Sequence, residues 1–316
     1  MYRFEEIKNN LELQKKLRGA MEIRRLMRVW FRDNHFEECE TPSLVRTPGQ
    51  EPYLFPFETV VKDERARETS GYLITSPEYA LKKILATGSS RIFEFARVFR
   101  NNEPADAMHN PEFTMLEWYR ADTDYRGIMD DVENLIYFVF QNLNLKSYNL
   151  QLTSPWEHLS VREAFKKYAA IDLDAELGRA DFDEWFFKIF LTHIEQKLGR
   201  GKPTILYDYP ACMAALAIIK KDDPRYAERF EVYINGVEIA NAYSELGDPV
   251  EQRARFLAEQ KVRAELGKPV HALDEELLAA LGTGFPKAGG IALGVDRLAM
   301  VLLDAKSIRE VLYFPW

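Results

Sequence analysis

Asn235-Gly236 constrains this chain most, because both residues accept the positive φ angles of a type I′ turn. They also sit between two strand-like runs, Phe230-Glu231-Val232-Tyr233-Ile234 and Val237-Glu238-Ile239-Ala240. A two-residue loop pairs Ile234 with Val237, Tyr233 with Glu238, and Glu231 with Ala240. That register sets Glu231 and Glu238 on one face as diagonal neighbours, with Cβ atoms about 7–8 Å apart. Carboxylates so placed repel unless a cation lies between them, and such oxygen ligands suit Mg²⁺ held partly by substrate phosphates. A solvated strand face is the plainer explanation of the same pair.

Other strand signals, rich in aromatic and β-branched residues, cover residues 91–100, 112–120 and 229–243. A helix is predicted over residues 11–34, where Leu13, Leu17, Ala20, Ile23, Met27, Trp30 and Phe31 recur every three or four positions. A second helix begins at Ser76-Pro77-Glu78, with Ser76 as N-cap and Pro77 first in the helix, and ends at Gly88. Ser160 with Glu163 and Asp181 with Glu184 carry capping-box spacing and open a helical scaffold reaching residue 198. Hairpin-joined strands with grouped helices define an α+β class, an antiparallel β-sheet flanked by helices. Without a repeat, a low-complexity tract or a Gly/Ser linker, one continuous domain over residues 1–316 is expected.

With 47% apolar residues, the chain can bury a sizeable core. A net charge of -8 works against holding a long polyphosphate backbone, so tRNA is not an expected partner. Cys39 and Cys212 lie far apart and no histidines pair at ligand spacing, which argues against zinc. The amino terminus is mixed and charged, and no apolar run is long enough to span a bilayer. The expected compartment is the cytoplasm, with no membrane partner.

Two further segments carry chemistry. In Phe99-Arg100-Asn101-Asn102-Glu103 to His109-Asn110-Pro111-Glu112-Phe113, an arginine ends one strand, where it can fork onto a phosphate or carboxylate, and a polar loop returns into the next. On the return strand Phe113, Met115, Glu117 and Tyr119 alternate onto one face. A salt bridge from Glu117 to Arg97 or Arg120 competes with any binding role. Near the carboxy terminus, Gly289-Gly290-Ile291-Ala292-Leu293-Gly294-Val295-Asp296-Arg297 runs from a glycine-relieved strand into a helix, a natural anion site with Arg297 in its first turn. It is neither the P-loop nor the dinucleotide fingerprint.

Glu40-Thr41-Pro42 after a long helix, the Arg100 strand-loop-strand and Gly294-Val295-Asp296-Arg297 resemble, in order and spacing, the three motifs of class II aminoacyl-tRNA synthetases. The likeness is to the lysyl branch, carried by Thr75-Ser76-Pro77-Glu78, the run from His109 to Glu117, and Glu238-Ile239-Ala240-Asn241-Ala242-Tyr243-Ser244-Glu245-Leu246. It covers almost the whole chain. No anticodon-binding OB domain is expected, and the chain looks like the stand-alone members of that family that attach (R)-β-lysine to a lysine of elongation factor P.

The resemblance implies ATP and Mg²⁺ as cofactors, lysine or β-lysine as the small substrate, elongation factor P as acceptor, and a homodimer through the motif 1 region. It implies that Arg100 and Arg297 are catalytic, holding the carboxylate with the α-phosphate and the γ-phosphate respectively. Phe113 stacks on adenine, and the ATP set further includes Asn102, Glu103, Asn110, Glu238, Glu245, Leu246 and Gly294. Glu231 and Glu238 bind Mg²⁺. Ser76, Pro77, Glu78, Glu117, Tyr119, Asn241, Tyr243, Glu245 and Ala292 form the amino acid pocket, Ala292 standing where lysyl-tRNA synthetases have glycine. The family motif reads Phe-Arg-Asn-Glu, whereas here Asn102 takes the acidic place and Glu103 follows, so either the loop has one extra residue or Asn102 replaces a carboxylate. Under strict alternation Glu245 also leaves the face of Glu238, so the strand must bulge or end before it. A core that aminoacylates RNA or makes a free amide, and a regulatory paralogue without catalysis, are the competing readings.

Overall fold

The computed structural model describes residues 2–104, 106–143, 152 and 155–316. Its strands are β1 (Glu37–Glu38), β2 (Leu44–Val45), β3 (Phe57–Lys62), β4 (Glu68–Leu73), β5 (Arg91–Phe99), β6 (Glu112–Ala121), β7 (Glu157–Ser160), β8 (Thr204–Pro210), β9 (Tyr226–Ile234), β10 (Val237–Ser244) and β11 (Ala288–Gly294). The helices are α1 (Arg3–Asn9), α2 (Leu11–Asp33), α3 (Glu78–Ala86), α4 (Tyr125–Asn142), α5 (Val161–Ala169), α6 (Phe182–Ile189), α7 (Pro249–Glu265), α8 (Glu275–Gly282) and α9 (Val295–Leu302).

Eight strands form one sheet in the order β1-β5-β6-β11-β10-β9-β8-β7, and β2-β4-β3 form a second, smaller one. From β5 through β8 all neighbours are antiparallel, as expected, but both edge strands run parallel to their partners, β1 to β5 and β7 to β8. These edges are too short to carry a periodic signal, and β3, β4 and β8 were likewise not among the strands expected from the sequence.

Alternation along the strands separates the two faces. Leu116 and Trp118 of β6, Ile291 and Leu293 of β11, and Ala240 and Ala242 of β10 pack in the main core with α2, α4 and α9. The opposite face carries the polar residues described below. The predicted α2 buries the face read from its spacing and is capped by Asn10, whose side chain accepts from the Leu13 amide. Around α5, α6 and β8 a second core of phenylalanines and tyrosines forms the scaffold expected there.

Several local expectations change. The N-cap position of α3 is Pro77 rather than Ser76, although the Ser76 hydroxyl still accepts from the Glu78 amide. The Ser160–Glu163 capping box forms, but Asp181 makes no cap bond and instead pairs with Arg179. In the hairpin Ile234 faces Val237 and Tyr233 faces Glu238, yet Glu231 faces Asn241 and not Ala240. The register slips between Glu238 and Ala240, so Ile239 is the extra residue of a β-bulge. Burial drives the slip: Ile239 and Ala240 both reach the core, and period-two alternation cannot bury adjacent residues.

Candidate active site

The bulge returns Asn241, Tyr243 and Glu245 to the face that carries Glu238, as the sequence required for Glu245 to join the site. Two rows of side chains then cross the sheet. One runs Glu117, Ala292, Asn241, Glu231 over β6, β11, β10 and β9; the next runs Tyr119, Gly290, Tyr243, Arg229. Residues from three separate segments thus share one floor.

At the amino acid end, buried Glu117 accepts from the Ser76 hydroxyl at 2.5 Å and the Tyr119 hydroxyl at 3.1 Å. It meets neither Arg97 nor Arg120, which pair with Glu112 and Asp131. The alternative salt-bridge role for Glu117 therefore falls away. Burial, with Glu78 and Glu245 nearby, holds the Glu117 carboxyl well above the usual range. An unpaired buried charge costs several kcal/mol, roughly, so an incoming cation would favour the ionised form of this group. Glu245 is pushed up to about 7 by burial, against the lowering effect of Lys82.

Lys82 and Gly290 are two residues whose part in the site the sequence did not announce. The buried Lys82 Nζ lies 2.5 Å from Glu78 Oε1 and 2.6 Å from Glu245 Oε2. A Cβ on Gly290 would collide with Glu245 Oε1 and the Tyr119 ring, so only glycine lets the carboxylate lie on β11. Glu51 is a third. Its Oε2 is shielded and unbonded among the described residues, with Glu78, Arg100 and Lys82 as its charged neighbours. Only the turn-rich Pro48-Gly49-Gln50-Glu51-Pro52 hinted at it, since a Cβ on Gly49 would strike the Glu51 carboxylate. A cavity of about 450 Å³ opens behind this end and shares Glu51, Ser76, Pro77 and Glu78 with it.

At the nucleotide end, the Arg100 guanidinium stands 5.3 Å over the Phe113 ring, and its Nε is shielded without a partner among the described residues. Burial lowers the Arg100 pKa, opposed first by Glu103. Asn102 is exposed at φ 59°, turning the chain, so Glu103 is the acidic neighbour of Arg100. His109 bridges onward, its Nε2 lying 3.7 Å from Glu103 and 3.0 Å from Arg297 Nη2. Arg297 also donates to the Glu238 carbonyl at 3.4 Å, which brings both motif arginines to one end of the floor.

The Asn110 side chain is taken up by the Glu112 carbonyl and the Trp316 amide, and Leu246 is buried with its amide bonded to the Leu216 carbonyl. Glu245 belongs to the amino acid end, beside Lys82. Gly294 begins α9, but a Cβ there would make only ordinary contact with Arg297.

The expected metal pair is adjacent but unequal. Glu231 Oε1 accepts from Arg229 at 2.6 Å, and Oε2 accepts from the Tyr209 and Tyr233 hydroxyls at 2.5 and 2.6 Å. Glu238 has no protein donor among the described residues; burial and the Glu231 charge push its carboxyl up to about 7. A free carboxylate beside a second negative group suits a divalent cation. No cluster of three or more acidic, His or Cys side chains is placed to hold a metal among the described residues, so an ion here needs further oxygens from the nucleotide.

An antiparallel floor with paired arginines at one end and clustered carboxylates at the other defines a nucleotide-dependent activating fold of the class II synthetase type. The chain belongs to the family of class II tRNA synthetases (D, K and N), whose model matches residues 1–316. Among its relatives, the elongation factor P–(R)-beta-lysine ligase of Pectobacterium carotovorum is 41% identical over 296 residues, covering 91% of each chain. The ligase of the same name from Photorhabdus laumondii is 40% identical over 321 residues, 96% of this chain and 94% of that one. That from Hamiltonella defensa is 38% identical over 303 residues, 92% and 91% of the two. No helix among the described residues is long and apolar enough to cross a membrane.

Proposed function

We propose that this chain activates (R)-β-lysine, or lysine, as an aminoacyl adenylate at the expense of ATP and transfers it to a lysine side chain of elongation factor P. The observation that carries the reading is the pocket of Glu51, Glu78, Glu117 and Glu245 around the single ammonium of Lys82. Several carboxylates with one internal cation match a substrate bearing two amino groups better than one with an α-ammonium alone. The relatives' shared name supplies the acceptor.

Arg100 binds the substrate carboxylate and the α-phosphate, and Phe113 carries the adenine ring. Arg297 takes the γ-phosphate. A substrate carboxylate oxygen attacks the α-phosphorus in line, and the bond to the bridging oxygen breaks with its electron pair leaving on pyrophosphate. The acceptor amine then attacks the carbonyl carbon, AMP leaves, and the amine loses a proton. Adenylate formation needs no protein base to make the nucleophile, and there the chain contributes position and charge; the acceptor ammonium must lose a proton before it attacks. Mg²⁺, held by Glu238 with Glu231 behind it, would neutralise charge on the triphosphate. The Ala292 methyl, between Glu117 and Asn241, is placed to shape the floor under the amino group. We also assign the homodimer to α2 and the motif 1 segment.

The test is ATP–pyrophosphate exchange with L-lysine and (R)-β-lysine, with leucine as control, followed by transfer to elongation factor P. Exchange with the lysine isomers alone is expected. Arg297→Ala removes a charge-assisted phosphate contact worth about 1.5–3 kcal/mol and should slow exchange by roughly tenfold or more. Equal activation of leucine, or unchanged exchange in that variant, overturns the reading.

A further inference from the structure

Lys82 is nine residues from any expected strand and shares its helix with Lys83, yet the two behave oppositely. Lys83 reaches Asp274 and Glu276 at the surface. Lys82 is 2% exposed and turns inward, ion-paired to Glu78 one turn earlier on α3 and to Glu245 at the end of β10. Oε2 of Glu245 faces the Lys82 ammonium while Oε1 has no hydrogen-bond donor among the described residues, so this buried carboxylate keeps one acceptor oxygen free while its charge is compensated. The other ionisable groups facing this cluster among the described residues are Tyr79 on α3, Glu117 and Tyr119 on β6, Tyr243 on β10, Glu51 in the preceding loop and Glu259 on α7.

We propose that Lys82 is a positioning and specificity residue: its ammonium is a built-in counter-ion that holds the Glu78 and Glu245 carboxyl groups in place and offsets their charge, so that the pocket meets an amino group with acceptors already set. Left without it, the buried Glu245 carboxyl holds its proton to higher pH, and an incoming ammonium must displace that proton before it can pair. The consequence is a pocket whose affinity for amino groups persists to lower pH than burial alone permits. The pocket assignment rests on the function proposed above, but the charge relation between Lys82 and Glu245 can be read without substrate.

The experiment therefore has two arms. In the empty protein, the Glu245 carboxyl is followed by carbon-13 NMR against pH, assigned with Glu245→Gln. Lys82→Met is expected to raise its midpoint by about one pH unit or more, and Lys82→Arg to leave it near the native value. Calorimetric titration then measures binding of both lysine isomers and of Mg²⁺-ATP between about pH 6 and pH 9. Lys82→Met should weaken the amino acid about tenfold or more at neutral pH and much less at the alkaline end, with ATP affinity changed less than about twofold. An unmoved Glu245 midpoint overturns the proposal, as does a loss of affinity equal for both ligands at every pH. If Lys82→Met does not fold, Lys82→Arg decides: native midpoint and binding support the charge role, and their loss despite a retained charge overturns it. Native protein that binds neither isomer refutes the function proposed above, and the carboxyl midpoint still judges Lys82.

Discussion

At the scale of single residues, the site is defined as much by atoms that are missing as by atoms that are present. Gly290 has no backbone need for glycine, since it is not among the positive-φ residues; it is required by the approach of Glu245 and the Tyr119 ring to β11. Gly290→Ala should therefore force side chains that are already buried to move, at about 1–3 kcal/mol of stability for an overpacked site. The amino acid KM in pyrophosphate exchange should rise, with the ATP KM nearly unchanged. A variant with native melting temperature and native lysine KM would show that Glu245 does not lie where the structure puts it. Glu103 illustrates the converse, a residue whose place became clear only when the left-handed turn at Asn102 brought it beside Arg100.

Elements are joined through Asp296, in the first turn of α9. Its Oδ1 accepts from Arg24 of α2 at 2.6 Å and its Oδ2 from the Thr114 amide of β6 at 2.8 Å, although the residue is almost wholly buried. One carboxylate therefore aligns the motif 1 helix, the motif 2 strand and the helix that presents Arg297. Asp296→Asn keeps the shape and removes the charge. Because Arg24 is partly exposed, the cost is that of a charge-assisted hydrogen bond, about 1.5–3 kcal/mol, rather than that of a sealed ion pair. The expected result is a lower melting temperature together with a raised KM for ATP, since Arg297 loses its anchor; a stability loss with native ATP kinetics would confine Asp296 to scaffold.

Over the whole molecule, the clustered acids make stability depend on pH in an uncommon direction. Glu238 and Glu245 have carboxyls raised to about 7, and Glu259 to about 8 through burial and the charges of Glu51 and Glu78. Between an ordinary carboxyl value of 4.5 and these values the folded chain binds more protons than the unfolded one, so stability must fall as pH rises through that window. The melting temperature of the empty protein should decline from about pH 5 to pH 8, and Mg²⁺-ATP with lysine should flatten the decline by supplying the missing cations. A melting temperature that rises steadily across the same interval would mean that the site carboxyls titrate normally.

Sequence by itself determined the local elements and the broad address of the chemistry. Helix α2 followed from apolar spacing, the β9–β10 hairpin from Asn235-Gly236, and Glu117 and Tyr119 from alternation along their strand, while Asn241 and Tyr243 came from the resemblance to the lysyl branch. Even the irregularity before Glu245 was legible, because a strict two-residue repeat put it on the wrong face. Such signals survive in sequence because they depend on neighbours a few positions apart. Tertiary structure alone decided which distant residues meet: Lys82 with Glu245, Gly290 with Tyr119, Arg24 with Asp296, and Tyr209 with Glu231 across the paired strands β8 and β9. It also decided that Ile239 would be the bulged residue and that Glu231 would be saturated by phenols and a guanidinium while Glu238 stayed free. These outcomes depend on packing and desolvation summed over several elements at once, and a buried lysine in a helix has the same local sequence as an exposed one.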